Sequence, residues 1–458
     1  MNHSLNTHAS LSLRPLLILA AVLFAMPVCV SADDDTTVQS ILFDQVRVFH
    51  GPTESVSDPT RVLIRGNQIA RIGDDIEVDA DTRIIDGAGH TLMPGLIDAH
   101  YHLTFSSLST EAMHSPDFTP EQAYEASARE AEAVLMRGFT AVRDAGGPIW
   151  DLRQAISQGH HPGPRVWASG AMISQTSGHG DFRTPDERSR RFFGKPSRAE
   201  LMGASFIADG RGEVLTAVRE NLRFGASQIK VTAGGGTSSA YDPVDVTQYT
   251  LDEMRAAVEA AEDWGTYVTV HAYTPRAIRR AIEAGVKVID HGQLLDQETM
   301  QLIKDNDVWL SLQVLRADSP NMEPMRRAKR RPIIENQPRV WTMARDLGVN
   351  IAWGTDFLFE PELNHEQNDF LVMLREWFSP AEVLRIATYD NARLLALSGL
   401  RSPYQGRLGV VEPDALADLL LVRGNPVEDL SLIADPEQNF VIIMKDGRIY
   451  KDLTGVSD

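Results

Sequence analysis

Eight short apolar runs, separated by helical and charged segments, occupy the middle of the chain. They are LIDAHYHL, FTAVRDAG, RVWASGAMI, SQIKVTAGG, TYVTVHA, VKVIDHG, VWLSLQV and NIAWGTDF. The segments between them have helical patterns, and several begin at a threonine cap and end at a glycine. Strands that alternate with helices predict parallel βαβ units, and eight such units are typical of a (β/α)8 barrel. The predicted fold class is α/β, a TIM barrel spanning residues 93–400.

Both ends of the chain have a different pattern. ILFDQVRVF and RVLIRGNQIARIG near the start, and ADLLLVRG and FVIIMKDGRIY near the end, are short β-like runs divided by turn residues. These runs predict a small antiparallel sheet. We expect a β-sandwich domain built from residues 33–92 and 401–458.

The N-terminal 32 residues have the pattern of a signal peptide. Arg14 precedes a long apolar run, and the small residues of VSA end at Ala32. A secreted or periplasmic protein without stable membrane association is therefore expected, with an uncleaved anchor as the alternative. Cleavage would remove Cys29, the one cysteine, so no thiol would be left to act as nucleophile or metal ligand.

The chain carries a formal net charge of −19, which argues against nucleic acid as a partner. A small-molecule substrate is the expected partner, and a homo-oligomer is the expected assembly.

Polar residues interrupt the apolar runs at their C-terminal ends. In GLIDAHYHL, His100 and His102 point to the same face because strand side chains alternate. The same ends of other predicted strands carry Lys230, His271, His291 and Asp356. A satisfied core histidine, an N-cap aspartate or a snorkelling lysine would explain each residue singly. All six at the face where barrel enzymes have their active sites favour a site for divalent metal ions.

The motifs MPGLIDAHYH, IKVTAGGG, VHAY, IDHG, GTD and GRLGVVEPDALADLLLV occur in this order along the chain. With them the chain resembles the amidohydrolase superfamily over residues 38 to 452. Within the superfamily it is similar to hydrolases related to imidazolonepropionase, especially the branch of Xaa-Pro dipeptidases and ochratoxin-type amidases.

The resemblance implies a site with two divalent metal ions, of which zinc is the expected metal. His100, His102 and Asp356 would hold the more buried ion, and His271 and His291 the more exposed one. Lys230, carboxylated by CO2, would bridge the two ions. A hydroxide shared by the metals would attack the scissile carbonyl, with Asp356 as general base and then general acid.

Lys230 also separates reaction classes within the superfamily, because mononuclear deaminases lack the bridging lysine and use a glutamate after a histidine motif. Here AYT follows His271 and GQ follows His291. The resemblance therefore implies a binuclear hydrolase of an amide or peptide bond in a small carboxylate-bearing substrate, such as an Xaa-Pro dipeptide or N-acyl amino acid. The alternatives are a cyclic-amide hydrolase or deaminase, and a catalytically silent binding protein.

Four residues are candidates for substrate binding. TSGHGDFR resembles the Gly-His-Gly-Asp element of the Xaa-Pro dipeptidase branch, which implies that His179 and Arg183 face the substrate. Tyr241 follows the glycine-rich turn beyond Lys230, and Tyr273 follows His271. These side chains could donate hydrogen bonds to a substrate carboxylate. For the tyrosines, packing against a loop at the rim is the alternative.

Two long connections follow predicted strands, at residues 174–212 and 315–338. Long connections on this face of a barrel often form lids or substrate walls. The second contains the basic run RRAKRR, for which we expect a solvated helical face, with recruitment of anions as the alternative.

Overall fold

The computed structural model describes residues 40–455, apart from 116, 240 and 319–321. The predicted signal peptide lies outside the described residues. Among those residues, no helix combines the length and apolar character needed to cross a membrane.

The strands follow one another in chain order along the described part of the sequence. They are β1 Ser40–Val48, β2 Thr60–Arg65, β3 Gln68–Ile72, β4 Arg83–Asp86, β5 Thr91–Pro94, β6 Leu96–Tyr101, β7 Phe139–Asp144, β8 Arg165–Ala168, β9 Met172–Ser174, β10 Ser205–Ile207, β11 Ile229–Thr232, β12 Val268–Ala272, β13 Val288–His291, β14 Trp309–Leu312, β15 Asn350–Trp353, β16 Leu419–Val422, β17 Phe440–Lys445 and β18 Arg448–Asp452.

Helices fill most of the connections between the parallel strands. They are α1 Leu103–Ser106, α2 Thr110–His114, α3 Pro120–Met136, α4 Trp150–Ser157, α5 Arg190–Phe193, α6 Arg198–Leu201, α7 Arg211–Arg223, α8 Leu251–Glu262, α9 Pro275–Ala284, α10 Gln297–Asp305, α11 Pro324–Leu347, α12 Gln367–Val372, α13 Pro380–Arg385, α14 Asn391–Ala396 and α15 Pro436–Asn439. Ile386–Asp390 forms a π-helical turn between α13 and α14.

The middle of the chain is an α/β structure with parallel sheets. Within the described residues, one sheet has the strand order β10-β9-β11-β12-β13-β14-β15 and another the order β6-β7-β8. Each of the eight predicted runs forms a strand here, and the third run contains both β8 and β9. Backbone hydrogen bonds link the two sheets, from Asp356 N to His100 O (2.8 Å) and from Ser227 N to Ala168 O (2.8 Å).

The helix signals in the sequence correspond to hydrogen-bonded caps. Thr119 and Thr250 each accept a bond from the backbone N–H three residues later, and Gln122 and Glu253 bond back to complete capping boxes. Gly285 ends α9 in the left-handed conformation. These caps fix where each helix begins or ends relative to the strand beside it.

The two chain ends form one further sheet, of order β18-β17-β16-β5-β1-β2-β3, with β4 also paired to β1. The sequence predicts an antiparallel sheet, but β1 pairs in parallel with both β4 and β5. β5 pairs antiparallel with β16, which joins the N-terminal and C-terminal segments. The sheet is therefore mixed, and the β-sandwich stays a prediction.

The two long connections have structure of their own. The first contains α5, α6 and β10, and β10 adds a parallel strand beside β9. In the second, the basic run lies in the first turns of α11. Lys329 departs from the expected solvated face, because its Nζ donates to the carbonyl oxygens of Gly236, Ser239 and Asp242 at 3.1, 2.7 and 2.8 Å.

Candidate metal centre

The six predicted metal ligands are positioned by the C-terminal ends of parallel strands. His100 lies in β6, Lys230 in β11, His271 in β12 and His291 in β13. His102 directly follows β6, and Asp356 is the third residue after β15. All six line one small cavity of about 20 Å³, which we call the central cavity.

Asp356 lies between three of the imidazoles. Its Oδ1 is 3.2 Å from Nε2 of His100 and 3.3 Å from Nε2 of His102, and its Oδ2 is 3.8 Å from Nδ1 of His291. His100, His291 and Asp356 each offer a ligand atom within 4.8 Å of the other two. This spacing allows one ion to be bound by all three side chains.

His271 lies on the other side of His291, with the two ring centroids 4.3 Å apart. Nζ of Lys230 lies 3.5 Å from Nε2 of His100. The residues that the resemblance assigns to two ions therefore form one continuous group, in which His291 is the neighbour shared by His271 and Asp356.

The imidazoles are buried, and burial disfavours the charged form of three of them. Burial lowers the pKa of His100 and His271 well below the usual value, and lowers that of His291 to about 4. Burial alone would raise the pKa of Asp356, but the neighbouring histidines hold it well below the usual range. Neutral imidazoles and an ionised carboxylate are the donor set that suits a zinc-like divalent ion, so the residues fit the expected metals.

Hydrogen bonds orient these rings. Nδ1 of His102 lies 2.9 Å from the carbonyl oxygen of Gly146. The side-chain amide of Gln313 lies between two rings, 2.7 Å from Nδ1 of His291 and 3.1 Å from Nδ1 of His100. Partners of this kind fix ring orientation at metal sites. Gln313 is absent from the sequence-based prediction, although it is a polar residue at a strand end like the others.

The backbone at the centre is strained and closely packed. His291 and Asp356 have φ angles of 82° and 53°, in the left-handed region that non-glycine residues rarely adopt. A Cβ on Gly354 would lie 2.2 Å from the backbone N of His100. The glycine of the GTD motif therefore allows β15 to approach β6 and brings Asp356 beside His100.

Asp290 and Arg143 form a charged layer beneath the centre. Asp290 accepts hydrogen bonds from Arg143 Nη2 at 2.5 Å and from Lys230 Nζ at 2.5 Å, and all three side chains are buried. Burial lowers the pKa of Lys230, and Asp290 opposes that effect. The candidate residues predicted from the sequence include neither Asp290 nor Arg143, although a charged side chain inside the run FTAVRDAG is a signal.

The four predicted substrate-binding residues fall into two pairs. His179 and Tyr273 lie against the centre, where the ring of His179 stacks on His271 at 4.0 Å and that of Tyr273 lies 5.1 Å from it. Arg183 donates from Nε and Nη2 to Asp181, and Tyr241 is 47% exposed. The structure therefore brings His179 and Tyr273 to the centre and leaves the other two farther out.

Two larger cavities flank the central one. The charged cavity has a volume of about 320 Å³ and shares His179, His271 and Asp356 with the central cavity. Three ion pairs line it. These pairs are Arg316–Glu366, Arg326–Glu360 and Arg330–Asp318. The apolar cavity, of about 730 Å³, is lined by Arg183, Tyr241 and many apolar side chains, and shares Phe182 and Phe359 with the central cavity.

Comparison with known proteins gives one family and several relatives. The sequence profile of the amidohydrolase family matches residues 91–451. Ochratoxinase of Aspergillus niger is 30% identical over 376 residues, which cover 79% of this chain and 75% of the relative.

Solved structures are similar over almost the whole described chain. A prolidase complexed with N-methylphosphonate-L-proline has a TM-score of 0.82 and 32% identity, covering 90% of this chain and 100% of that one. An Xaa-Pro dipeptidase with bound methionine in its active site has a TM-score of 0.76 and 29% identity, with coverage of 90% and 100%.

Proposed function

The chain belongs to the amidohydrolase family and is a hydrolase acting on carbon–nitrogen bonds, and we propose that it cleaves the amide or peptide bond of a small substrate bearing a carboxylate. An Xaa-Pro dipeptide or an N-acyl amino acid is such a substrate. The observation that carries the proposal is the convergence of six strand-end side chains on one cavity of about 20 Å³.

The same proposal includes the closed barrel. Ten parallel strands lie in two sheets, and hydrogen bonds from Asp356, after β15, to β6 and from Ser227, before β11, to β8 link these sheets. This arrangement supports a (β/α)8 barrel whose C-terminal face holds the centre. The paired sheet of the chain ends supports a separate small β domain beside it.

We assign two divalent ions, zinc by preference, to the six side chains, with Lys230 carboxylated and bridging. When bound, the ions supply Lewis acidity that activates water and polarises the scissile carbonyl. The chain's own part is to hold the carbonyl beside the centre and to move one proton. Asp356 accepts that proton at a carboxylate oxygen and passes it to the leaving amine nitrogen.

The exposure and position of the Asp356 side chain suit it to this proton transfer. Its side chain is 18% exposed, whereas those of His100 and His102 are 1% and 2% exposed. It also lines both the central and the charged cavity, so one oxygen can face the ligands while the other faces the substrate.

The substrate carboxylate is assigned to His179 and Tyr273. Nδ1 of His179 lies 2.8 Å from Ser239 Oγ and 3.4 Å from Asp242 Oδ2. In the tautomer in which Nδ1 accepts from the Ser239 hydroxyl, Nε2 carries the proton and can donate to a carboxylate. Arg183 and Tyr241 stay predicted contacts, although the bond of Arg183 to Asp181 satisfies much of its charge.

A hydrolysis panel with metal analysis tests the proposal. Dipeptides and N-acyl amino acids are offered to protein of measured zinc content, with hydantoin-type cyclic amides and aminated heterocycles as the competing substrates. Release of free amino acid supports the proposal. Turnover confined to the cyclic amides or heterocycles would instead assign the alternative reaction, and no turnover with fully loaded protein would leave a binding protein.

Export and assembly complete the proposal. We assign the protein to the periplasm or the exterior of the cell, without stable membrane association, and expect a homo-oligomer that does not bind nucleic acid. N-terminal sequencing of exported protein should begin at Asp33. A mature protein that retains the apolar run after Arg14 would contradict cleavage.

A further inference from the structure

Two strands that position metal ligands lie side by side where the two parallel sheets adjoin. Among the described residues, β15 is the last strand of one sheet and β6 the first strand of the other. His100 lies in β6 and Asp356 follows β15, and the backbone N–H of Asp356 donates to the carbonyl oxygen of His100 at 2.8 Å. The spacing of these two ligands therefore depends on the spacing of the two strands.

The side-chain amide of Asn391 bonds to both strands. Its Oδ1 accepts from the backbone N–H of Trp353 in β15 at 3.1 Å. Its Nδ2 donates to the carbonyl oxygens of Trp353 and of Ile97 in β6, at 2.8 and 2.7 Å. Asn391 is fully buried, and these bonds use both of its N–H donors. The amide thus makes the pair of bonds that a neighbouring antiparallel strand would make with Trp353, and adds a bond to β6.

The bonded residues have the same spacing from the ligand in each strand. Ile97 lies three residues before His100, and Trp353 lies three residues before Asp356. Three residues of an extended strand span about 10 Å, at about 3.3 Å per residue. Asn391 therefore joins the two strands a short distance before the ligand pair, and in the same register as that pair.

The local structure brings Asn391 to this position. It is the first residue of α14 and follows the π-helical turn Ile386–Asp390, a rare element that is frequent at functional sites. Leu394 of the same helix belongs to an apolar cluster with Ala99 of β6 and Ala352 of β15, which holds the helix against both strands. Asparagine is a poor helix former, so the stability of the helix does not account for its presence here.

We propose that Asn391 is a positioning residue for the metal centre, which sets the spacing of His100 and Asp356 by joining β6 to β15. The inference rests on the proposed metal centre and goes beyond it, because Asn391 lies outside the lining of the central cavity and acts through the two strands. Without the amide, the carbonyl oxygens of Ile97 and Trp353 would lose this buried donor, and the strands would be free to move apart. An ion held by both ligands would then bind more weakly, since both ligand atoms must reach it together.

The zinc affinity of Asn391→Ala measures this effect without turnover. Chelator-treated protein is titrated with zinc in competition with a chromophoric chelator. We expect the affinity to fall at least about 10-fold relative to wild type, the usual cost of removing a residue that supports metal ligands. Asn391→Ser is the second choice should the alanine variant fold poorly. Unchanged zinc affinity would overturn the proposal.

Asn221→Ala is the matched control. Asn221 is also buried, and its amide bonds both backbone groups of Ala171, accepting at 3.1 Å and donating at 2.8 Å. Ala171 lies between β8 and β9, which carry none of the proposed ligands. The control should lose stability as Asn391→Ala does, but should keep its zinc affinity within about 2-fold of wild type. An equal loss of zinc affinity in the control would overturn the proposal, because it would trace the effect to general loosening of the fold.

The visible absorption of bound Co²⁺ reports the geometry of its ligands. The Co²⁺ bands of Asn391→Ala should differ from those of wild type in position or intensity, whereas those of Asn221→Ala should match. Identical bands in all three proteins would overturn the proposal. Neither metal readout needs an amide substrate. A wild-type protein that binds zinc and hydrolyses no amide would therefore contradict the proposed function, and the comparison of variants would still decide the role of Asn391.

With an active wild type, kinetics at saturating zinc add a further test. The loss in Asn391→Ala should fall on kcat, with KM within about 2-fold of wild type, because His179 and Tyr273 are left in place to bind the substrate. A loss confined to KM would overturn the proposal.

Discussion

Asp290→Asn should destabilise the protein strongly although it changes little in volume. Asp290 is fully buried and accepts bonds from Arg143, from Lys230 and from Thr269, the last at 2.8 Å. In the metal-free protein, in which the amine of Lys230 carries no carboxyl group and is a cation, the substitution replaces one oxygen by an NH2 group that faces one of the two cations, and removes the negative charge from both.

The magnitude follows from the buried charges. A unit charge pair about 4 Å apart is worth about 4 kcal/mol at an effective dielectric constant of about 20. Leaving a buried partner uncompensated costs about 3–5 kcal/mol, and here two cations lose the same partner. We expect the free energy of unfolding to fall by about 3–5 kcal/mol, with hydrogen bonds of the new amide limiting the loss.

Urea unfolding of chelator-treated protein, followed by tryptophan fluorescence, measures the change without a contribution from bound metal. Asp252→Asn is the matched control, because Asp252 is 73% exposed and 3.6 Å from Arg211, and it should change stability by less than about 0.5 kcal/mol. Lys230→Met should reduce the cost of Asp290→Asn, with a coupling of at least about 1 kcal/mol in the double-mutant cycle. A loss below about 1 kcal/mol, or strict additivity, would refute the charged layer.

The stability difference between wild type and Asp290→Asn should decrease as the pH falls. Arg143 and Lys230 hold the pKa of Asp290 well below its usual value, despite a burial effect that raises it. A depressed carboxyl pKa contributes stability above the unfolded value of about 3.9, and this contribution is lost as the pH falls. The difference between wild type and Asp290→Asn should therefore be full near neutral pH and shrink below about pH 4.

Three further predictions concern the centre. Purified protein should hold about two divalent ions per chain by mass spectrometry, and full activity with one ion, unimproved by a second, would exclude the binuclear site. Lys230→Ala should lose both metal and activity, with partial rescue by short carboxylic acids added with metal; near-normal turnover without them would favour the mononuclear alternative. His179→Ala and Tyr273→Phe should lower kcat/KM for carboxylate-bearing substrates by about 10-fold or more, and should affect the neutral amides of these substrates much less. Equal losses on the charged and the neutral substrates would show that neither residue binds the carboxylate.

The sequence predicts what is local or periodic. The eight apolar runs mark the parallel strands because burial on both faces leaves an apolar run, and the strand ends mark His100, His271 and His291 because polar residues there break that run. The helix caps at Thr119 and Thr250 follow from neighbours three residues apart. Each of these signals lies within a few residues of what it predicts.

What the sequence does not predict depends on distant pairs. Arg143 and Asp290 are 147 residues apart, and Gln313 and His100 are 213 apart, so only the assembled strands show them in contact. The parallel pairing of β1 with β4 and β5, and the added strand β10, likewise follow from the path of the whole chain. The structure is also needed to show that His179 and Tyr273 lie against the centre, whereas Arg183 and Tyr241 lie farther out.

Lys329 has a consequence for anyone who would transplant loops between relatives of this enzyme. One ammonium group, carried by α11, satisfies three carbonyls of the segment that follows β11, and that segment supplies Ser239 and Asp242 to His179. The two segments are thus a single module for grafting. A loop exchanged without its matching helix would bring three partly buried carbonyls without the ammonium group that binds them, and His179 would lose the support of Ser239 and Asp242.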